Sequence, residues 1–168
     1  MKKPVIIRKE DVERRPIPFA GKDGDAGWWR RVICPENVDT KGISMGVLEI
    51  NPGFAAHAWH NHNYDKKVNQ RLGIEVEVKY PKKDNEYIFE EFYCIMSGSG
   101  SMQWETESGK TEEIGVNAGD IIFFPRGVAK HQLLNNGDKK MYIIYGGSPL
   151  TEANIKHLNE LAASNEGQ

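Results

Sequence analysis

The sequence predicts an all-β domain, and three observations support this prediction. Short runs rich in β-branched and aromatic residues recur along the chain, among them IEVEVKY, YIFEEFYCIM, DIIFFP and KMYIIYGG. Turn-forming stretches such as NPG, ESGK, NAGD and NNGD separate these runs. Within residues 74–78, apolar side chains alternate with glutamates, which is the pattern of a strand with one buried face. Many short strands separated by turns are typical of a β-sandwich or β-barrel.

The composition excludes several classes of protein. The 168 residues fit one domain with enough material for a hydrophobic core. The 22 basic and 24 acidic side chains nearly balance, and no helix-turn-helix pattern or basic stretch favours nucleic acid. The apolar runs are too short for a signal peptide or a membrane span. Cys34 and Cys94 cannot build a disulfide framework or a multi-cysteine zinc site, so we expect a reduced, cytoplasmic protein without a membrane or nucleic-acid partner.

We expect a single domain over residues 1–168, because the chain contains no repeat, low-complexity tract or linker. Its barrel core should span about residues 44–147. The N-terminal extension, residues 1–43, is too loop-like for strands to be predicted. Its Trp28 and Trp29 are expected to pack half-buried, with a pocket wall or a dimer seam as alternatives.

Two local signals lie near the C-terminal end of this core. Residues of about 151–163 carry apolar side chains at helical spacing behind Thr151 as N-cap, which predicts a short C-terminal α-helix packed against the barrel. The apolar positions are Ile155, Leu158, Leu161 and Ala162. The dipeptide Asn136-Gly137 is typical of a two-residue β-hairpin.

A histidine cluster provides the first candidate for chemistry. The stretch HAWHNHNYD, residues 57–65, holds three of the five histidines of the chain. In a strand, residues two apart share a face, so His60 and His62 should point together toward one ion. His57 has the opposite parity and should point away unless a bulge intervenes.

Further ligands would have to come from other strands. The stretch FEEFYCIMSGSG places Glu90 and Glu91 at the start of a strongly apolar strand. A carboxylate at that position is costly to bury unless it is paired or bound to a cation, so one of the two should have a specific role. His131, after GDIIFFPRGVAK, is the other histidine in the barrel region.

In these residues the chain resembles the cupin superfamily of small jelly-roll barrels with a central metal. The first motif of that family is a glycine, five residues, His-x-His, three or four residues, a glutamate, six residues and a glycine. In this sequence Gly53 precedes His60-x-His62, and Glu91 stands six residues before Gly98.

The second cupin motif is a glycine, five residues, Pro-x-Gly, two residues, a histidine, three residues and an asparagine. In this sequence Gly119 stands five residues before Pro125-Arg126-Gly127, and His131 and Asn135 follow. The resemblance covers roughly residues 44–147. It implies an all-β fold with a single cupin jelly-roll barrel.

The sequence departs from the family pattern in its spacings. Each motif has one spacing that is a residue longer, and 28 residues separate His62 from Glu91 instead of three or four. The insert, about residues 63–89, looks like an extra hairpin and is expected to shape substrate access or a dimer seam. Glu91 is preferred over Glu90 because it has the glycine spacing, and Asp65 is an alternative ligand that needs no insertion.

The resemblance implies a metal centre. It would bind one divalent transition metal ion, with iron, manganese, nickel, cobalt and zinc all suited to three imidazoles and a carboxylate. The implied ligands are His60, His62, Glu91 and His131. The open coordination positions would hold a small oxygen-rich substrate, an organic acid or a sugar derivative, or dioxygen.

The walls of the pocket are less determined by the sequence, and no catalytic acid or base is assigned. The strand SMQWETE presents either Met102 and Trp104 or Gln103 and Glu105 to the interior. The candidate pocket residues are His57, Tyr64, Tyr93, Gln103 and Arg126.

Family members include dioxygenases, isomerases, lyases and decarboxylases, and also noncatalytic binders, so the fold does not select a reaction. We expect a metal-dependent enzyme, with a noncatalytic metal- or ligand-binding sensor as the alternative. We also expect a homodimer, because cupins commonly pair through barrel edges and exposed edges favour pairing with another chain.

Overall fold

The computed structural model describes residues 3–17, 24–34, 37–38, 40, 43–57, 59, 90–125 and 128–148. Within these ranges the chain forms nine strands and one short 3-10 helix at Lys9–Asp11. The strands are β1 Arg15–Pro16, β2 Gly27–Ile33, β3 Ser44–Ile50, β4 Glu91–Ser97, β5 Ser99–Glu105, β6 Thr111–Asn117, β7 Ile121–Phe124, β8 His131–Leu134 and β9 Met141–Gly147.

The strands form two antiparallel sheets. One sheet has six strands in the order β1-β2-β3-β9-β4-β7, and the other has three in the order β6-β5-β8. The all-β prediction is therefore confirmed. The predicted helix at 151–163 and the insert at 63–89 lie outside the described residues. The described residues form no helix with the length and hydropathy needed to span a bilayer.

The hydrophobic core lies between the two sheets and follows from strand alternation. In β4, Tyr93 and Ile95 are buried, whereas Met96 is 55% exposed. The other sheet contributes Leu133, which is fully buried, and Met102. Because Glu91 has the same parity as Tyr93 and Ile95, β4 points this carboxylate toward the interior.

The N-terminal extension contains a strand that the sequence did not predict. β2 pairs with β3 from Gly27↔Ile50 to Ile33↔Met45. Gly27 has a φ of +122°, and a Cβ atom there would lie 1.8 Å from the carbonyl oxygen of Glu49, so the strand can begin only at a glycine. Trp29 packs against the core, and Trp28 lies under the guanidinium of Arg14 at 4.3 Å from its ring centroid.

The predicted hairpin at Asn136-Gly137 is wrong. These residues connect β8 in the three-stranded sheet with β9 in the six-stranded sheet, so they join the two sheets. The neighbouring Asn135 is fully buried, and its Nδ2 donates to the carbonyl oxygens of Ile50 and Lys139, both at 2.8 Å. The backbone NH of Gly137 donates to Asn135 Oδ1 at 3.2 Å. The turn chemistry therefore stabilises a connection between sheets.

Glu49 ties the N-terminal segment to β3. Its carboxylate is 6% exposed and accepts a 2.7 Å bond from Arg30 Nη1 and a 3.1 Å bond from Arg14 Nη2. Lys140 Nζ lies 3.9 Å away. Burial alone would raise the pKa of the Glu49 carboxyl, but the Arg30 hydrogen bond and the charges of Arg14, Arg30 and Lys140 outweigh burial and lower this pKa. The ionised form is thus stabilised by folding.

We predict that Glu49→Gln lowers the free energy of unfolding at pH 7 by about 2 kcal/mol, because two arginines lose their buried counter-charge. Because the pKa of Glu49 is lowered in the folded state, its carboxylate stabilises the fold fully at pH values above the ordinary pKa of 4.5. This stabilisation is lost as the pH falls through the lowered pKa of the folded state. The difference between wild type and variant should therefore shrink at pH 3. Urea unfolding at both pH values measures it.

The control is Glu107→Gln, which changes an exposed turn residue and should leave the urea midpoint unchanged. A Glu49→Gln effect of the same size at pH 7 and pH 3 would contradict an electrostatic origin.

Candidate functional site

Three rings from the two sheets meet in the interior. His131, the first residue of β8, is fully buried, and Phe124, the last residue of β7, stacks on it with ring centroids 4.5 Å apart. Tyr93 of β4 meets Phe124 edge-on at 4.8 Å. These contacts join the three-stranded sheet to the six-stranded sheet at the position of the predicted second-motif histidine.

The backbone fixes the tautomer of His131. Its Nδ1 lies 2.9 Å from the carbonyl oxygen of Ala129. Because a carbonyl oxygen only accepts, Nδ1 must carry the proton and donate it. In the neutral ring the lone pair then resides on Nε2, which is the form of imidazole that binds metal ions and is oriented by such a carbonyl.

The structure gives Glu91, and not Glu90, the register that faces the interior. Glu90 is exposed, and its backbone bonds to Ser148. The Tyr93 hydroxyl forms a hydrogen bond with the Glu91 carboxylate and donates it, because a carboxylate only accepts. Burial, then the charges of Glu91 and Tyr145 and this bond, raises the pKa of Tyr93 well above 10. Tyr93 is therefore a permanent donor to Glu91 at physiological pH.

His57 joins the cluster against the expectation from strand parity. Its ring centroid lies 5.6 Å from that of His131 and 6.3 Å from that of Tyr93. The chain bends at residues 56–57, which turns the side chain inward. The bend is held beside β8 because Ala56 N donates to Leu133 O at 2.8 Å and Gln132 Nε2 donates to His57 O at 2.9 Å.

Gln103 does not belong to the interior, which corrects its assignment to the pocket. Its Nε2 donates to Glu113 Oε2 at 2.7 Å in an exposed pair on the outer face of the three-stranded sheet. Of the two alternations that the sequence left open for β5, the one that turns Met102 and Trp104 inward is observed, because both pack with the core.

The remaining candidates lie outside the described residues. They are His60, His62, Tyr64 and Arg126, together with the alternative ligand Asp65. In the part of the chain that the structure describes, no three histidine, cysteine, aspartate or glutamate side chains form a metal-binding group. The described share of the candidate site therefore consists of His57, Glu91, Tyr93 and His131.

A cleft of about 480 Å³ has His131 in its lining. It lies between β6 and β7, and its walls are mainly apolar. Sequence reasoning missed it. The sequence did hold one signal for it. In TEEIGVN the isoleucine and the valine are two residues apart, so both lie on one face of β6, and apolar side chains on one face indicate that this face covers something apolar.

The fold is similar to those of several solved structures. A sugar phosphate isomerase of the cupin superfamily from Silicibacter pomeroyi superposes with a TM-score of 0.55 at 15% identity, over 86% of this chain and 76% of that one. A predicted oxalate decarboxylase from Thermotoga maritima gives a TM-score of 0.53 at 16% identity, over 87% of this chain and 100% of that one.

The capsular polysaccharide assembling protein CapF from Staphylococcus aureus gives a TM-score of 0.49 at 16% identity. The alignment covers 77% of this chain, but the chain spans only 30% of the length of CapF. No family model and no curated protein matches the sequence. At these identities the likenesses describe the fold and leave the activity open.

We predict that Tyr93→Phe lowers the free energy of unfolding by about 1–2 kcal/mol, because the half-buried Glu91 carboxylate loses its hydroxyl donor. Tyr142→Phe is the matched control, since Tyr142 is 39% exposed and can exchange its hydroxyl contacts for water. The urea midpoints of the two variants measure the difference. Equal midpoints would mean that the Tyr93–Glu91 hydrogen bond does not stabilise the fold.

Proposed function

We propose, on the premise that this chain has the cupin fold, that it is a metal-dependent enzyme acting on a small molecule that binds the metal through oxygen atoms. The substrate class is an organic acid or a sugar derivative. One observation carries the proposal: His131 is fully buried and its Nδ1 donates to a backbone carbonyl, which leaves the lone pair on Nε2. A histidine held in this way is typical of a metal ligand.

The ligand set of this proposal combines both cupin motifs. Glu91 and His131 come from the described strands β4 and β8, and His60 and His62 come from the first motif. The donor set fits a divalent transition metal ion, iron, manganese, nickel, cobalt or zinc, because it offers neutral imidazoles and one carboxylate. An inward-facing carboxylate among apolar side chains also favours a cation beside it.

The residues around these ligands have separate roles in the proposal. A bound ion would supply Lewis acidity to a chelating substrate. The Tyr93 hydroxyl orients the Glu91 carboxylate, and Phe124 excludes water from one face of His131. His57 lies beside His131 and can contact a substrate bound there.

We predict that His60→Ala and His131→Ala each remove most of the transition metal that copurifies with the wild-type protein. Each change deletes one of four ligands, so we expect metal occupancy to fall at least about tenfold. Elemental analysis of the purified proteins measures it. His157→Ala is the matched control, because this histidine lies outside both motifs.

Undiminished metal in both ligand variants would overturn the ligand assignment. A metal-loaded wild-type protein that neither consumes dioxygen nor converts oxo acids or sugar phosphates would instead support the alternative, a noncatalytic metal- or ligand-binding sensor.

We also propose a cytoplasmic homodimer. Among the described strands β7 is an edge of the six-stranded sheet, and an edge strand favours pairing with a second chain. The outer face of β7 and β4 adds exposed apolar side chains, Ile121 at 69%, Phe123 at 60% and Met96 at 55%. Exposed apolar side chains on neighbouring strands at a sheet edge favour association of two copies.

We predict a dimer mass by light scattering at micromolar concentration, and a dimer dissociation constant raised about tenfold in Met96→Lys by the buried charge. Ile43→Lys is the control, since Ile43 is 46% exposed and precedes β3, away from β7. A monomer mass for the wild type would contradict the proposal.

A further inference from the structure

We infer that the substrate carries an apolar body, preferably aromatic, which lies in the cleft between β6 and β7 while its oxygen head reaches His131. The location of the head rests on the proposed function. The location of the body rests on the geometry of the cleft alone.

Part of the inner face of β6 opens into the cleft. β6 pairs with β5 through Gly100↔Val116 and Met102↔Ile114, so Val116 and Ile114 share the inward face. Val116 is 5% exposed as an inward residue should be, but Ile114 is 58% exposed. β7, on the other side of the cleft, has four residues against seven in β6. Ile114 thus presents an exposed apolar side chain to the cleft.

The cleft shares one residue, His131, with the candidate site. The same cavity is lined by Ile114 and Val116 on one wall, by Ile122 and Phe124 on the other, and by His131 at its buried end. Its volume of about 480 Å³ exceeds what a two- or three-carbon acid fills and matches the pockets of larger ligands. A molecule bound at His131 therefore has room for a second, larger part.

The side chains that line the cleft favour an apolar group as the second part of the substrate. The two titratable side chains that line the cleft in the described structure are Asp120 and His131. Asp120 Oδ2 already accepts the backbone NH of Asn117 at 2.7 Å, which closes the β6–β7 turn. A polyhydroxylated body would thus leave hydroxyl groups without partners against apolar walls, and such burial is costly.

An aromatic body has specific contacts available. Trp104 and Phe124 both line the cleft, and Phe124 already stacks on His131. Ring pairs of this kind add to the free energy of burial because their edges and faces are electrostatically complementary. A ring between these side chains would continue the stack that leads to His131.

The test compares two 2-oxo acids that differ only in a ring, pyruvate and phenylpyruvate, by isothermal titration calorimetry on the full-length, metal-loaded protein. Burial of the phenyl group should make phenylpyruvate bind about 10- to 100-fold more tightly. Equal affinities would overturn the inference while leaving the proposed metal site intact.

Matched variants locate the ring. Ile114→Lys should weaken phenylpyruvate binding at least about fivefold without changing pyruvate binding, since it places a charge on the cleft wall. Ile43→Lys makes the same change at another exposed isoleucine that does not line the cleft, and should change neither. Equal effects of the two variants on phenylpyruvate would overturn the assignment to this cleft.

A third probe separates the cleft from the metal. 3-Phenylpropanol has the ring without the acid. It should bind saturably and compete with phenylpyruvate, and Ile114→Lys should weaken its binding. These results should be the same in metal-loaded and metal-stripped protein. If it binds in this way but pyruvate does not bind and no metal is found, the proposed function fails and the apolar site stands. If 3-phenylpropanol does not bind, a second copy or another segment of the chain fills the cleft and the inference fails.

Discussion

The stacking of Phe124 on His131 is the contact on which the rest of the site depends. The two rings belong to different sheets, both are almost fully buried, and their centroids lie 4.5 Å apart. Because protein interiors are close-packed, the distance between the sheets is set where such large side chains meet. Tyr93 meets Phe124 edge-on, and its hydroxyl in turn forms a hydrogen bond with the Glu91 carboxylate. The position of the carboxylate relative to the imidazole thus follows from the packing of a phenylalanine that carries no chemistry of its own.

Those features of the fold and site that depend on local alternation could be predicted from the sequence. Strand parity places Tyr93 on the face of Glu91, and the spacing to Gly98 selects Glu91 over Glu90; the structure turns Tyr93 and Ile95 of this face inward. The turns at the motif glycines could also be predicted, since Gly98 and Gly119 adopt the positive φ values of +85° and +98° that favour glycine. Asn135 closes the second motif for a structural reason, because it satisfies backbone carbonyls in the core.

The features that could not be predicted depend on contacts between distant parts of the chain. β2 is stabilised by its pairing with β3, and such a pairing cannot be predicted from the β-propensity of the residues in β2 alone. Asn136-Gly137 marks a reversal of the chain, but nothing in its chemistry says whether the following strand joins the same sheet. The bend that turns His57 inward breaks strand parity, and the face of Gln103 was ambiguous because both alternations of β5 contain acceptable interior residues. The β6–β7 cleft lies between strands of different sheets, so it becomes visible only when both sheets are in place.

The position of β9 has a consequence for how the protein forms. β9 pairs with β3 from Ser44↔Gly147 to Ile50↔Met141, and with β4 on its other side. During synthesis, β3 and β4 therefore cannot join one sheet until residue 147 has left the ribosome, and in the described sheet their facing edges have no other partner. Such distant pairings make folding slow and expose the nascent chain to association through those edges. β9, the last strand in the described residues, completes this sheet, so cellular yield should depend on chaperones that shield β3 and β4 during translation.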